Sequence, residues 1–248
     1  MDPFDMKPAR DLGMSSGERV KSLDRESGMA SSVGHLAWWT FVRGYMAVWH
    51  RLTIHNRERI PKKPPFVLVA NHASHLDALV LAAPLPWKQR DKIFPIAAGD
   101  VFFETPMVSA FAAYMLNALP MWRKKCGPHA LEQLRRKLVE DPCAYILFPE
   151  GARSRDGAML PFKPGLGMLI AGTDVPVVPC HLQGCYDALP ADCKIPRPRR
   201  ITVRIGEPVA FGEVKNNREG WKHIASELQS RVKSLDPNCQ LTSSIEKS

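Results

Sequence analysis

The chain has 248 residues, 45% of them hydrophobic and 24% charged, with a formal charge of +9. Length and balance are those of a single α/β domain with a sizeable core. The positive charge favours anionic partners, but no zinc-finger spacing, RNP-like aromatic motif or helix-turn-helix pattern accompanies it, which sets nucleic acid aside.

Six cysteines, at 126, 143, 180, 185, 193 and 239, form no Cys-x-x-Cys pair. That argues against structural zinc, and several sit in apolar strand-like runs and read as reduced core residues of a reducing compartment. Residues 1–30 lack the apolar centre of a secretory signal, and no unbroken apolar run of about 20 residues predicts a membrane span.

Residues 1–32 read as a mobile tail. Residues 33–54 carry three of the six tryptophans, Trp38, Trp39 and Trp49, with Phe41 and Tyr45, and are interrupted by Arg43 and Gly44. This composition predicts a helix or helical hairpin at a membrane interface, the alternative being a core helix on the main sheet. The charged, proline-rich stretch 55–65 blocks helix and leads into the first strand.

Phe66 to Ala70 is an apolar, β-branched run and reads as a buried strand. It breaks into Asn71-His72-Ala73-Ser74-His75-Leu76-Asp77, and a helix follows from Ala78 to Ala83 with Asp77 near its first turn. A tight strand-to-helix turn folds His72 and Asp77 onto each other. A carboxylate on one imidazole nitrogen fixes the tautomer and leaves the other nitrogen as a base. No serine nucleophile is evident, so the hydroxyl to be activated belongs to the substrate. The plainer alternative is that Asp77 caps the helix and His72 is merely hydrogen-bonded nearby. A metal at His72, His75 and Asp77 has no ligand-spacing pattern behind it, so none is expected.

Lys88 to Lys92 reads as a loop and Ile93 to Ala97 as the second strand. Residues 101–119 are apolar, with Pro106 at a helix start; they pack in the core, line an acyl-chain groove or touch the bilayer. A short strand from Leu119 ends in Arg123, Lys124 and Lys125, and a helix runs from His129 to Glu140. Ala144 to Phe148 is a fully apolar strand that breaks into Pro149-Glu150-Gly151-Ala152-Arg153-Ser154, followed by Phe162-Lys163-Pro164-Gly165-Leu166-Gly167 and a helix. Strand, glycine turns, cations and helix start make a scaffold for an anion. Arg153 offers a bidentate contact to phosphate and Lys163 a point charge. Glu150 either pairs with an arginine or accepts from a substrate hydroxyl. Further strands are expected at Val175 to His181 and Ile201 to Gly206. Between them, Pro190 to Arg200 is a basic loop that rests on anionic lipid or is simply solvated. An amphipathic helix from Trp221 to Leu235 closes the domain, and residues 237–248 fray.

Asn71-His72-Ala73-Ser74-His75-Leu76-Asp77 resembles the Asn-His-x-Ser-x-x-Asp block of the glycerolipid acyltransferases, the PlsC-like lysophosphatidic acid acyltransferase family. Phe148-Pro149-Glu150-Gly151-Ala152-Arg153-Ser154 is similar to that family's Phe-Pro-Glu-Gly-x-Arg-Ser block, and Phe162-Lys163-x-Gly165 continues the match. Arg123 sits where the second block has an arginine, although Ala118-Leu-Pro-Met-Trp122-Arg123 departs from its usual form. Val175-Pro176-Val177-Val178-Pro179 looks like the fourth block. The resemblance spans about residues 60–210.

The resemblance implies a single domain over residues 55–236, with a mixed, mostly parallel twisted sheet flanked by helices and a membrane-interface helix before it. It implies transfer of a fatty acyl group from acyl-CoA or acyl-carrier protein to a lysophospholipid hydroxyl, 1-acyl-sn-glycerol 3-phosphate first among acceptors. His72 is then the general base, oriented by Asp77. Asn71, Ser74, Arg123, Glu150, Gly151, Arg153, Ser154, Lys163 and Gly165 are substrate contacts, and neither metal nor cofactor is required. The expected setting is peripheral or monotopic, on the cytoplasmic side of an anionic membrane. Rival readings are another acceptor, such as glycerol 3-phosphate or a lyso-aminolipid, and a noncatalytic lipid-binding protein.

Overall fold

The run Phe66–Ala70 (β2) is apolar at all five positions because both of its faces are covered. On one face Phe66, Leu68 and Ala70 pack with Trp39, Val42 and Met46 and with Val80 and Leu81. On the other, Val67 and Val69 pack with Leu134, Leu138, Leu166, Leu169, Ile170, Ile224, Leu228 and Val232. The period of two along the strand thus divides the core into two layers. The computed structural model describes residues 29–98, 105–121 and 128–238, with residues 13–15, 17, 18 and 22.

In chain order the elements are α1 (Met29–Val48), β1 (Thr53–His55), β2, α2 (Asp77–Ala82), β3 (Ile93–Ala98), α3 (Pro106–Tyr114), β4 (Leu119–Met121), α4 (Pro128–Glu140), β5 (Ala144–Leu147), α5 (Gly165–Ile170), β6 (Val177–Gln183), α6 (Cys185–Ala188), β7 (Thr202–Ile205) and α7 (Arg218–Ser234). Seven strands form one sheet in the order β1-β7-β6-β2-β5-β3-β4. Strands β6, β2, β5, β3 and β4 run parallel, β7 is antiparallel to β6, and β1 lies parallel to β7 at the edge. The mostly parallel single α/β domain is the one expected.

The leading aromatic segment packs on the main sheet, as one of the two readings expected, and keeps an exposed apolar face. It is one helix rather than a hairpin, and it buries Trp39, Val42 and Met46, spaced three and four apart, on the sheet. Its other positions stay outside: Val33, Phe41 and Val48 are 68%, 62% and 81% exposed. Polar ties hold it in place. Arg43 donates through Nη2 to the carbonyl of Leu85, and His35 Nδ1 lies 2.9 Å from Asp91 Oδ1. No described helix is long and apolar enough to cross a membrane.

Three details differ from expectation. Residues 29–32, read as the end of a mobile tail, form the first turn of α1. Thr53 and Ile54, read as part of the helical segment, belong to strand β1. The helix ends at Val48 and the backbone turns at Arg51, which has φ 45°, and three residues are too few to display a strand period. Lys88 to Lys92, read as loop, lies within a 3-10 turn, Trp87–Lys92.

Candidate active site

The parallel neighbours β2 and β5 both end at the same edge of the sheet, and each delivers one of the polar stretches there. In parallel sheets this carboxyl edge is where ligands collect. The turn after β2 is set by Asp77. Its Oδ2 lies 2.8 Å from His72 Nδ1 and accepts the main-chain N–H groups of Ala73 and Ser74 at 2.7 and 2.8 Å. Asp77 is fully buried. The imidazole side chain is 23% exposed, and the ring of Phe148 stacks on it at 4.3 Å. With Nδ1 committed to the carboxylate, Nε2 is the nitrogen available to a substrate proton.

The two polar stretches are bound to each other by main-chain groups. Glu150 accepts from His72 N at 2.7 Å through Oε1 and from Leu160 N at 2.9 Å through Oε2. The carbonyl of His72 accepts from Ser154 N at 2.8 Å. Burial raises the Glu150 carboxyl to about 7, against the lowering effect of those two amide donors.

Several residues expected to touch substrate are turned inward. Asn71 is buried and uses both ends of its amide on Leu182, donating to its carbonyl at 3.0 Å and accepting its N–H at 2.8 Å. Ser74 is buried, donating through Oγ to Leu189 O at 2.8 Å and accepting from Leu76 N at 3.1 Å. Ser154 is buried too, and its Oγ donates to Asp156 Oδ1 at 2.8 Å. No described arginine pairs with Glu150; its oxygens hold the two amides above. These residues therefore shape the turns.

The groups facing outward are cationic or backbone. Arg153 is half-buried, with Nη1 on Ala191 O at 3.4 Å, and Asp77 and Asp192 act on it through their charge. Lys163 is exposed and folds over Gly151, where a Cβ would stand 2.8 Å from Nζ. Gly151 has φ 71°, a left-handed turn that favours glycine. Gly165 opens α5. His75 is on the same turn as His72; partial burial, then Arg153 and His72, lower its pKa below the usual value. Arg123 lies outside the described residues. Among the described residues no group of three or more His, Cys, Asp or Glu side chains is placed to hold a metal ion. An oriented imidazole beside an arginine and a lysine can take a proton from a hydroxyl on a molecule that also carries an anionic group.

The acyltransferase family model matches residues 51–183, more than half of the chain. The chain belongs to the acyltransferase family. Both polar turns and the strands that carry them fall inside that acyltransferase match. The chain is 28% identical over 163 residues to 1-acyl-sn-glycerol-3-phosphate acyltransferase alpha of Mus musculus, covering 64% of this chain and 55% of the relative. It is 25% identical over 171 residues to 1-acyl-sn-glycerol-3-phosphate acyltransferase of Cocos nucifera, covering 68% and 54%. The chain thus spans about half the length of the curated relatives it matches. The crystal structure of PlsC from Thermotoga maritima superposes with a TM-score of 0.63 at 24% identity, over 82% of this chain and 78% of that one, a likeness of fold.

Sequence reasoning missed Leu160, Leu182 and Leu189. Each holds the acyltransferase turns through its main chain, and a main-chain donor or acceptor leaves no residue-type signal.

Proposed function

We propose that this protein is a 1-acyl-sn-glycerol-3-phosphate acyltransferase. It moves a fatty acyl group from an acyl-CoA or acyl-carrier-protein thioester to the free hydroxyl of the lysophospholipid and yields phosphatidic acid. The observation that carries the reading is the His72–Asp77 pair at 2.8 Å, oriented by main-chain donors and flanked by Arg153. The names of the relatives supply the substrate class.

His72 Nε2 takes the hydroxyl proton as the oxygen attacks the thioester carbonyl. Asp77 holds the ring and offsets the imidazolium charge. The tetrahedral oxyanion collapses, the C–S bond breaks, and the imidazolium returns its proton to the departing thiolate. Arg153 and Lys163, with Arg123, bind the acceptor phosphate. Asn71, Ser74, Glu150 and Ser154 hold the turns in place, and Gly151 and Gly165 let the backbone approach. Residues 55–236 form the acyltransferase domain. Helix α1 and the turn after it set it, as a peripheral or monotopic protein, on the cytoplasmic face of an anionic membrane through the outward Phe41 and Val48 of the helix and Trp49 of the turn.

The test is transfer from a labelled palmitoyl thioester to a panel of lysolipids, with His72→Ala alongside. Transfer to lysophosphatidic acid that drops about 10³-fold in a folded His72→Ala protein supports the assignment. Turnover of that variant at the wild-type rate overturns the base. Transfer only to glycerol 3-phosphate or a lyso-aminolipid overturns the acceptor and keeps the chemistry.

A further inference from the structure

The two oxygens of Asp77 are in unlike situations. Oδ2 collects the imidazole and two amides, whereas Oδ1 is buried and, among the described residues, no hydrogen bond of ordinary geometry reaches it. A bare buried carboxylate oxygen is costly, so a polar side chain in contact with this carboxylate matters. One such side chain comes from outside both family motifs, just after β6. Cys185 is 2% exposed. Burial drives its thiol pKa well up, and the charge of Asp77 and a side-chain contact with that carboxylate push it further in the same direction. The thiol is therefore protonated, with a hydrogen to offer.

The path of the chain explains how the thiol reaches this place. Strand β6 runs parallel beside β2, with Ala70 opposite Cys180. Two residues further on, Leu182 meets the Asn71 amide in both directions. At Gly184 the backbone takes φ 86°, and a Cβ there would stand 2.2 Å from Arg200 O. Only glycine fits that position. The resulting turn starts α6 at Cys185, and its C-terminal neighbour Leu189 accepts from Ser74 Oγ while its N–H bonds to Cys185 O at 3.0 Å. Leu182, Cys185 and Leu189 thus meet Asn71, Asp77 and Ser74 in turn.

We infer that Cys185 is a positioning residue of the His72–Asp77 pair: its thiol hydrogen faces Oδ1 of Asp77, and segment Leu182–Leu189 is the cradle that fixes the turn 71–77. This rests on the acyl-transfer reading for its importance to turnover, but not for its effect on the imidazole. The choice of a thiol has a chemical meaning. S–H is a weak donor. It occupies the buried oxygen while drawing little charge from Oδ2, so the carboxylate keeps most of its pull on the imidazolium. A hydroxyl there takes more charge from Oδ2, and a methyl takes none.

The test compares Cys185→Ser and Cys185→Ala with wild type in two readouts. The first is the imidazole titration of His72 by NMR, assigned by difference with His72→Gln, which needs no substrate. The second is the acid limb of kcat against pH, with a palmitoyl thioester and lysophosphatidic acid. Because a donor on Oδ1 weakens the carboxylate, the His72 pKa is expected to fall in Cys185→Ser and to rise in Cys185→Ala, each by about 0.5 pH unit. The acid limb of turnover should move with it. Should Cys185→Ala fail to fold, the downward shift in Cys185→Ser carries the test. Titrations that superpose on wild type in the folded variants overturn the inference, even if stability changes. Shifted titrations with no acyl transfer by any of the three proteins uphold the positioning role and overturn the proposed reaction instead.

Discussion

A carboxylate oxygen with three donors on it can no longer rotate to suit a passing ligand. At the scale of the residue, this fixed state of Asp77 is what orients His72, and it exists without substrate. Among the described residues Glu150 is the other buried acid, and its situation is testable by pH. The folded protein keeps the Glu150 proton up to about pH 7, while the unfolded chain releases it near the ordinary value of 4.5. Its contribution to stability is therefore fullest below 4.5 and is lost as the pH rises to about 7. Glu150→Gln removes that dependence and adds an offset, from one amide hydrogen facing a main-chain N–H, that is the same at every pH. The Tm of the variant minus that of wild type should thus move in the variant's favour between pH 5 and pH 8. Differential scanning fluorimetry at four or five pH values would measure it. Parallel Tm curves would mean that Glu150 is ionised throughout. The sequence made the His72–Asp77 pair and the cationic side chains legible, because those residue types carry the chemistry. It hid the inward turn of Asn71, Ser74 and Glu150, since their partners are main-chain groups that any residue could supply.

At the scale of elements, the position of the second polar turn depends on α5 lying flat against α7. The contact is made at Gly167, where a Cβ would come within 2.4 Å of Trp221 Cα. Backbone cannot yield as a flexible side chain does, so the helices would have to part. Gly167→Ala should cost about 2–3 kcal/mol in chemical denaturation, and a loss below about 0.5 kcal/mol would show that the helices slide freely. Arg135 of α4 reinforces the same corner, donating through Nη1 to Ala171 O at 2.7 Å just beyond α5. Long apolar strands and periodic helices could be read from the chain, because burial on one or both faces imposes a pattern on side chains. Strand β1 and helix α6 could not. Three and four residues hold no period, and only their neighbours β7 and β6 decide where they lie.

At the scale of the whole molecule, α1 has one face in the core and an apolar face outside. The proposed membrane attachment therefore need not disturb the packing of the domain. Phe41→Ser with Val48→Ser should lower binding to vesicles containing phosphatidylserine about tenfold, while turnover on micelle-dispersed lysophosphatidic acid stays at the wild-type level. Sedimentation with vesicles reads the first and the labelled-thioester assay the second; unchanged sedimentation would assign the outward face to something other than lipid. The other whole-molecule feature is the place of β2. It is the fourth of seven strands, both layers of the core rest on it, and the turn bearing His72 is its direct continuation. Loss of either layer therefore takes away the strand that carries this turn, so under denaturant the signal of the folded sheet and the capacity for acyl transfer are expected to disappear together.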